Sequence, residues 1–450
     1  MTASDNSTAA PSPAGGRDAL HPGAVRQAVR LSFAQAMLGA VYGASTGGMF
    51  LIGYALLLGA TNVQIGLMST IPMLCIGVQL GTAALIERGV SRRWLTVVAA
   101  LLNVACWVLI ILIPYAFSRA SASTRVSLLI AVITAVTFFA YISGNARGSW
   151  VGDLIPARFR GTFFGRLAMY GGIVASVFAI GEGAFLDVVK QHGLAAFSTL
   201  FGFGMLFGIA NAVLFQPQAD VPAPRHKDGA HLLPMVREAF SNHELMLVMF
   251  FAICWSMQSV AGPFYATYML RDLKMPFVGV GVLNACVMLA FLVSSPFWGR
   301  AIDRWGCRPV LRLSALVLGS LQFVWLGLSS AHAVFCVIPI VNLFAGAAAG
   351  GVSVALNTLL YKTTPSRGRS VQFAIYSIVV TLLTAPLPVL GGYLPAWLTR
   401  LGLPADLRYT FYLAGCFLLL SVVMTYGIHE PGAYQVRHLL RTLGNRRMKE

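Results

Sequence analysis

Apolar and polar positions alternate along this chain on a long period. Twelve mostly apolar stretches, 31–58, 63–86, 94–117, 125–149, 162–186, 194–216, 245–269, 277–300, 309–330, 333–360, 370–398 and 408–428, are separated by short polar connections. A helix needs about 20 apolar residues to cross the hydrocarbon core of a bilayer, and each stretch is long enough. The pattern therefore predicts an all-α integral membrane protein with twelve transmembrane helices. Many stretches contain Gly, Pro or aromatic residues, which membrane helices tolerate.

The polar remainder divides the chain. Residues 1–27 are small, polar and rich in Pro and Gly, with no apolar run of the kind a signal peptide carries, and read as a disordered tail. Residues 217–244 form the longest interior connection and separate six stretches from six. Within it LLPMVREAF is expected to lie on the membrane surface as a short helix. The predicted units are thus two six-helix bundles, 28–216 and 245–430, followed by a basic tail, 431–450. Placing every second connection on one side puts 25 of the 32 Lys and Arg there and leaves seven on the other. Basic residues concentrate on the cytoplasmic side of membrane proteins, which predicts cytoplasmic termini and an inner-membrane location.

The halves echo each other. Gly48, Phe50 and Tyr54 of the first stretch recur as Gly262, Phe264 and Tyr268 of the seventh, each 214 residues later. Pro156, Arg158 and Arg160 recur as Pro365, Arg367 and Arg369, each 209 later. IERGVSRR after the second stretch matches IDRWGCRP after the eighth. Three matches at corresponding places predict a duplication, with two pseudo-symmetric bundles.

Composition narrows the function. The chain is 57% hydrophobic and 10% charged, with a mean hydropathy of +0.74. Its net charge of +17 would suggest nucleic acid in a soluble protein. Here the charge sits in loops between spans and reports topology, so no nucleic-acid partner is expected. The seven cysteines lack metal-binding spacing, and no GxxxxGK[ST] or GxSxG sequence occurs. The eight histidines lie in tails or loops. Neither an enzyme nor a cofactor is expected.

A charged knot interrupts the apolar sequence at GRAIDRWGCRPVLR, Gly299 to Arg312, with five charged residues in fourteen. Gly299, Asp303, Arg304, Gly306 and Arg308 resemble the G-x-x-x-D-R-x-G-x-R/K-R/K loop signature of the major facilitator superfamily. The sister loop is degraded, with Ala83 in place of the first glycine and Glu87 in place of Asp, followed by Arg88, Gly89, Arg92 and Arg93. Asp153, Pro156, Arg160, Gly161 and Gly165 resemble the loop after the fourth helix in that superfamily. The resemblance covers about residues 28 to 430. It implies a secondary transporter working by alternating access, with two six-helix bundles rocking around a midplane site. It also implies that Asp303 meets the start of the fifth helix and Glu87 the start of the eleventh, near Arg369, as an inner-gate latch. A carboxylate at a helix N-terminus beside Arg is favoured by about 0.3–1 kcal/mol.

Departures from the superfamily's drug–proton antiporters are visible. The arginine expected deep in the fourth stretch would fall near Ala131, and the fifth stretch reads AIGEGAF without the antiporters' Pro. The eleventh does carry Pro388, Gly391 and Gly392. Glu182 is the one carboxylate well inside a stretch, roughly 6 Å from its expected end near Leu186. It reads as an interfacial acid facing the outer vestibule, with proton coupling as the functional alternative. Arg147 is expected to pair with Asp153 or to bind an anion.

The first, second, fourth, seventh, eighth, tenth and eleventh stretches hold no Asp, Glu, Lys or His near their middles. A neutral cavity follows, with candidate lining residues Tyr42, Thr46, Tyr141, Asn145, Trp255, Gln258, Asn284, Asn342 and Tyr376. It suits a small neutral or amphiphilic solute, moved by a chain that works as a monomer in the lipid bilayer with protons as a candidate coupling ion. The alternatives are a drug or metabolite exporter of the same fold and a non-transporting membrane scaffold or sensor.

Overall fold

A computed structural model describes residues 22–154, 160–218, 240–364 and 369–428. Residues 1–21 of the first tail, the whole of the second, the loop prolines and arginines at 156, 158, 365 and 367, and all but the last residue of LLPMVREAF lie outside the described residues. Among the described residues, eleven helices are long and apolar enough to cross a membrane: Arg26–Leu57, Asn62–Ile86, Arg92–Ala116, Ala122–Val151, Phe163–His192, Leu194–Val213, His243–Asp272, Phe277–Trp305, Cys307–Gly327, Ala331–Thr363 and Gln372–Arg400. The shorter Arg408–Met424 makes the twelfth. They are called spans 1 to 12. The expected all-α, twelve-helix architecture is what the chain adopts. The first helix begins at Pro22, inside the segment expected as tail.

Local chemistry sets the ends. Thr61 and Gln64 form a reciprocal capping box at the start of span 2. Ser91, Asn242 and Ser330 accept the free backbone N–H groups at the starts of spans 3, 7 and 10. Gly89 and Gly306, in matching loops of the two halves, turn the chain at φ 94° and 91°, a region that favours glycine.

The repeat is geometric as well as textual. Span 1 breaks at Gly48, whose φ is +52°. Span 7 loses its regular α-helix from Met257 through Gly262 to Pro263. Beyond each break a buried tyrosine ties the helix end back into its bundle. The Tyr54 hydroxyl donates to the Ile110 carbonyl at 2.8 Å, and the Tyr268 hydroxyl to the Leu328 carbonyl at 2.7 Å. Tyr54 meets Phe201 of span 6 edge-on, and Tyr268 meets Phe411 of span 12 the same way. Hydrocarbon supplies no hydrogen bonds, so each break must be satisfied from within.

The bundles meet through spans 5 and 8 and through spans 2 and 11, at glycines. A Cβ at Gly66 would lie 2.4 Å from the Pro388 carbonyl oxygen, and one at Gly392 would lie 2.6 Å from that of Asn62. A Cβ on Gly183 would lie 2.9 Å from the Phe277 backbone. Small residues let membrane helices approach this closely. Span 11 breaks beside Pro386, and Thr70 of span 2 donates to the Ala385 carbonyl there at 2.7 Å. These contacts lie from the middle of the molecule toward the end opposite the charged knot. Toward the knot, a Cβ added at Gly77, Gly81, Gly165 or Gly299 would meet no atom within 4 Å. Among the described residues, the tight glycine contacts between the bundles thus lie away from the knot.

Tyr54→Phe and Tyr268→Phe should each remove one buried hydrogen bond, lowering stability by about 1 kcal/mol. Melting of the purified protein in detergent tests this. Unchanged melting temperatures for both would show that these bonds do not hold the breaks.

Candidate functional site

The two helix breaks open the interior. A cavity of about 330 Å³ lies where spans 1 and 7 give way, lined among others by Gly48, Gly262, Tyr265, Asn284, Gln322, Trp325 and Asn342. A second space of about 510 Å³ lies between spans 1, 5 and 8 and shares Gly48, Met49 and Asn284 with the first. No charged residue and no histidine lines either one. The chemistry is aromatic and amide. Tyr265 stacks on Phe411 at 4.4 Å and donates its hydroxyl to Gln322 Oε1 at 2.5 Å. Asn342 donates its amide to the Leu283 carbonyl at 2.7 Å, which fixes the side chain with its oxygen still available. Asn284 is exposed into both spaces. Such groups can orient a neutral hydroxylated or aromatic guest while the rings supply apolar contact.

Of the residues expected to line the cavity, Asn284 and Asn342 line these spaces. Several others serve helix packing. Tyr42 donates to Asn103 Oδ1 at 2.7 Å, and Asn103 donates onward to the Val136 carbonyl at 2.6 Å. Thr46 donates to the Tyr42 carbonyl, Asn145 to that of Gln79 and Gln258 to that of Trp255. Trp255 stacks on Phe251. Tyr141 and Tyr376 are half-buried outside both linings. Tyr265, Gln322 and Trp325 escaped the sequence reading. The available signals were the turn residues just before Tyr265 and a glutamine inside span 9.

The knot works mainly within its own bundle. Arg308 donates to the carbonyls of Thr425 and Tyr426 at 3.0 and 2.9 Å, where span 12 ends. Arg312 donates to Thr425 Oγ1 and lies over the Tyr426 ring at 3.8 Å. A cation at the carbonyl end of a helix meets both free acceptors and the negative end of the dipole. The other half repeats the arrangement: Arg93 donates to the Gln216 carbonyl past span 6, while buried Arg92 donates to that of Ser149. Arg88 is exposed, and Arg304 lies against the Trp305 ring. Asp303 is exposed and makes no ion pair among the described residues. The side chains of Glu87, Asp153, Arg160 and Arg369 lie outside the described residues. The inner-gate contact expected of Asp303 at the start of span 5 therefore falls on side chains outside the described residues.

Glu182 sits deeper than its position in the sequence suggested. The helix of span 5 continues to Val189, which puts Glu182 about 10 Å from its end. It is 6% exposed, and its Oε1 lies 2.5 Å from Ser45 Oγ on span 1. Ser45 Oγ also lies 2.9 Å from the Val41 carbonyl. One hydroxyl proton cannot serve both contacts, so the Glu182 pair can close with the proton on either partner. Glu182 lines neither the outer vestibule nor the central spaces. It borders an apolar cavity of about 460 Å³ between spans 5 and 6. Arg147 lies over the Phe215 ring at 5.4 Å.

Residues 245–441 match the model of the Major Facilitator Superfamily. The fold of the whole chain is similar to that of solved structures. The nucleoside transporter NupG superposes with a TM-score of 0.66 over 90% of this chain and 98% of its own, at 12% identity. The family match thus covers the second bundle, and the likeness to solved structures covers the fold of both. The chain is an integral, multi-pass membrane protein. A bacterial homologue of the lysosomal transporter Spinster, in an inward-facing and occupied conformation, also superposes at 0.66, with 12% identity over 89% of this chain and 95% of its own. In sequence, the chain is 27% identical to the cis,cis-muconate transport protein of Acinetobacter baylyi over 45% of this chain and 48% of that protein. It is 24% identical to the quinolone resistance protein NorA of Staphylococcus aureus over 36% of this chain and 39% of that one. The chain thus spans less than half the length of the curated relatives it matches.

The division of labour within the superfamily knot can be measured. Arg308→Ala should destabilise the purified protein by about 1.5–3 kcal/mol, because two carbonyls lose a charged donor. Asp303→Asn should leave the melting temperature of this conformation unchanged. Equal losses for the two variants would contradict the assignment.

Proposed function

We propose that this chain is a secondary transporter that carries a small neutral or amphiphilic solute by alternating access, as a monomer. The observation that carries the reading is the uncharged, amide- and aromatic-lined interior at the two helix breaks. The lysine and arginine distribution supports placing the knot and both termini in the cytoplasm of an inner-membrane protein. On that orientation the tight contacts between the bundles lie toward the outer end. Asp303 and Glu87, with Arg160 and Arg369, act as the inner latch in the opposite state, when the knot ends of the bundles meet.

Protons are the proposed coupling ion and Glu182 the proposed carrier. The Ser45–Glu182 pair closes with either partner donating, and Ser45 lies three residues before Gly48, where span 1 breaks. Protonation there would act on the hinge beside the cavity. Export of a lipophilic solute is the second reading. It is favoured by the apolar cavity beside Glu182 and by the partial match to NorA.

Purified protein in proteoliposomes, offered a panel of neutral, amphiphilic and aromatic solutes with and without a pH gradient, tests the reading. Uptake or extrusion of at least one solute is expected. Asn284→Ala and Gln322→Ala should each raise the half-saturation concentration about fivefold, the value of one lost hydrogen bond. Glu182→Gln should abolish stimulation by the gradient. No movement of any solute under any gradient would favour a scaffold or sensor.

A further inference from the structure

Span 8 starts without a cap of its own. Its first turn follows Pro276, which offers no side-chain acceptor, so the backbone N–H groups of Phe277 and Val278 need partners from elsewhere. They find them in the other bundle. Asp187 of span 5 accepts from Phe277 N through Oδ1 and from Val278 N through Oδ2, both at 2.9 Å. Both carboxylate oxygens are engaged, and the negative charge faces the positive end of the helix dipole. Gly183, one turn earlier on span 5, permits the approach, because a Cβ there would collide with the Phe277 backbone. The Phe277 ring completes the plug: it stacks on Phe50 of span 1 and meets Phe197 of span 6 edge-on.

We propose that Asp187 is the latch of the end opposite the knot, a positioning residue that holds the two bundles together in the conformation seen. The inference rests on the alternating-access reading, since a latch implies a state in which it opens. The chemistry suits reversible use. When the bundles part, water can replace Asp187 at the span 8 N–H groups and can solvate the carboxylate, so neither side is left with an unsatisfied buried group. Three cations, Lys190, Arg271 and Lys274, line the same vestibule of about 500 Å³. Arg271 is held by Asp272 and by Asn62 of span 2 across the seam. Asp187 is therefore tied to the helix end and forms no ion pair with these cations among the described residues. The arrangement is the counterpart, at the opposite end, of the contact expected between Asp303 and the start of span 5.

The test reads conformation directly. All seven native cysteines are replaced, and Met269, a buried residue that lines the central cavity, becomes the single probe as Met269→Cys. A membrane-impermeant maleimide is applied from the end away from the knot. Asp187→Ala should raise the initial labelling rate roughly fivefold, the population shift expected for losing a helix cap. Asp187→Asn keeps one acceptor oxygen and should fall between. Lys190→Ala should label at the parent rate. If Asp187→Ala does not fold, Asp187→Asn decides by the same measure. A parent-like rate in the folded variant overturns the latch. Failure of the transport reading would show differently, as an absence of solute flux in vesicles with the labelling contrast intact.

Discussion

Hydrocarbon gives backbone groups nothing to bond to, and that constraint organises this molecule. A helix may break inside the membrane only where other protein groups take up what the break sets free. Spans 1, 7 and 11 all break, and polar side chains stand at or just beyond each break. Tyr54 and Tyr268 tie down the segments beyond Gly48 and Gly262, and Thr70 reaches across the seam to the Ala385 carbonyl. Local turns take up backbone groups at the breaks of spans 1 and 7, Thr70 answers the break of span 11, and the interior space lies where spans 1 and 7 give way.

Helix ends follow the same rule and divide the molecule into two working ends. At the knot end, Arg93 and Arg308 serve carbonyls at the ends of spans 6 and 12, within one bundle each. At the far end, Asp187 serves N–H groups at the start of span 8, in the other bundle. The first kind of contact stiffens a bundle and need not change as the bundles rock. The second can exist only while the bundles touch. Under the proposed alternating access, the arginines would stay fixed while the carboxylates let go and engage.

Much of this was legible in the chain. Span number follows from apolar length. The duplication follows from Gly48, Phe50 and Tyr54 meeting Gly262, Phe264 and Tyr268 at one offset, and the fold carries those residues to matching geometry. The site was less legible because a mid-span Tyr, Asn or Thr reads the same whether it faces a guest or a neighbouring helix. Tyr42 and Asn145 turned out to bond neighbouring helices, while Tyr265 and Gln322 face the cavity, a distinction set by helix rotation and by the break before Tyr265. The depth of Glu182 was misjudged because the helix runs on through the partly polar LDVVK to Val189. Asp187 gave no signal because its partners are backbone groups 90 and 91 residues away, and backbone is invisible in a residue pattern.

The central claim is that the two ends alternate, one closed while the other is open. Spin labels report it most directly, with one pair across the bundles at exposed Arg166 and Arg300 near the knot and another at Leu57 and Lys274 near the far end. Distance distributions measured by pulsed electron resonance in nanodiscs, across a solute panel and at several pH values, should show two populations that trade places. When the far-end distance lengthens, the knot-end distance should shorten. Single distributions at both ends that no solute or pH alters, or two ends that lengthen together, would contradict the account.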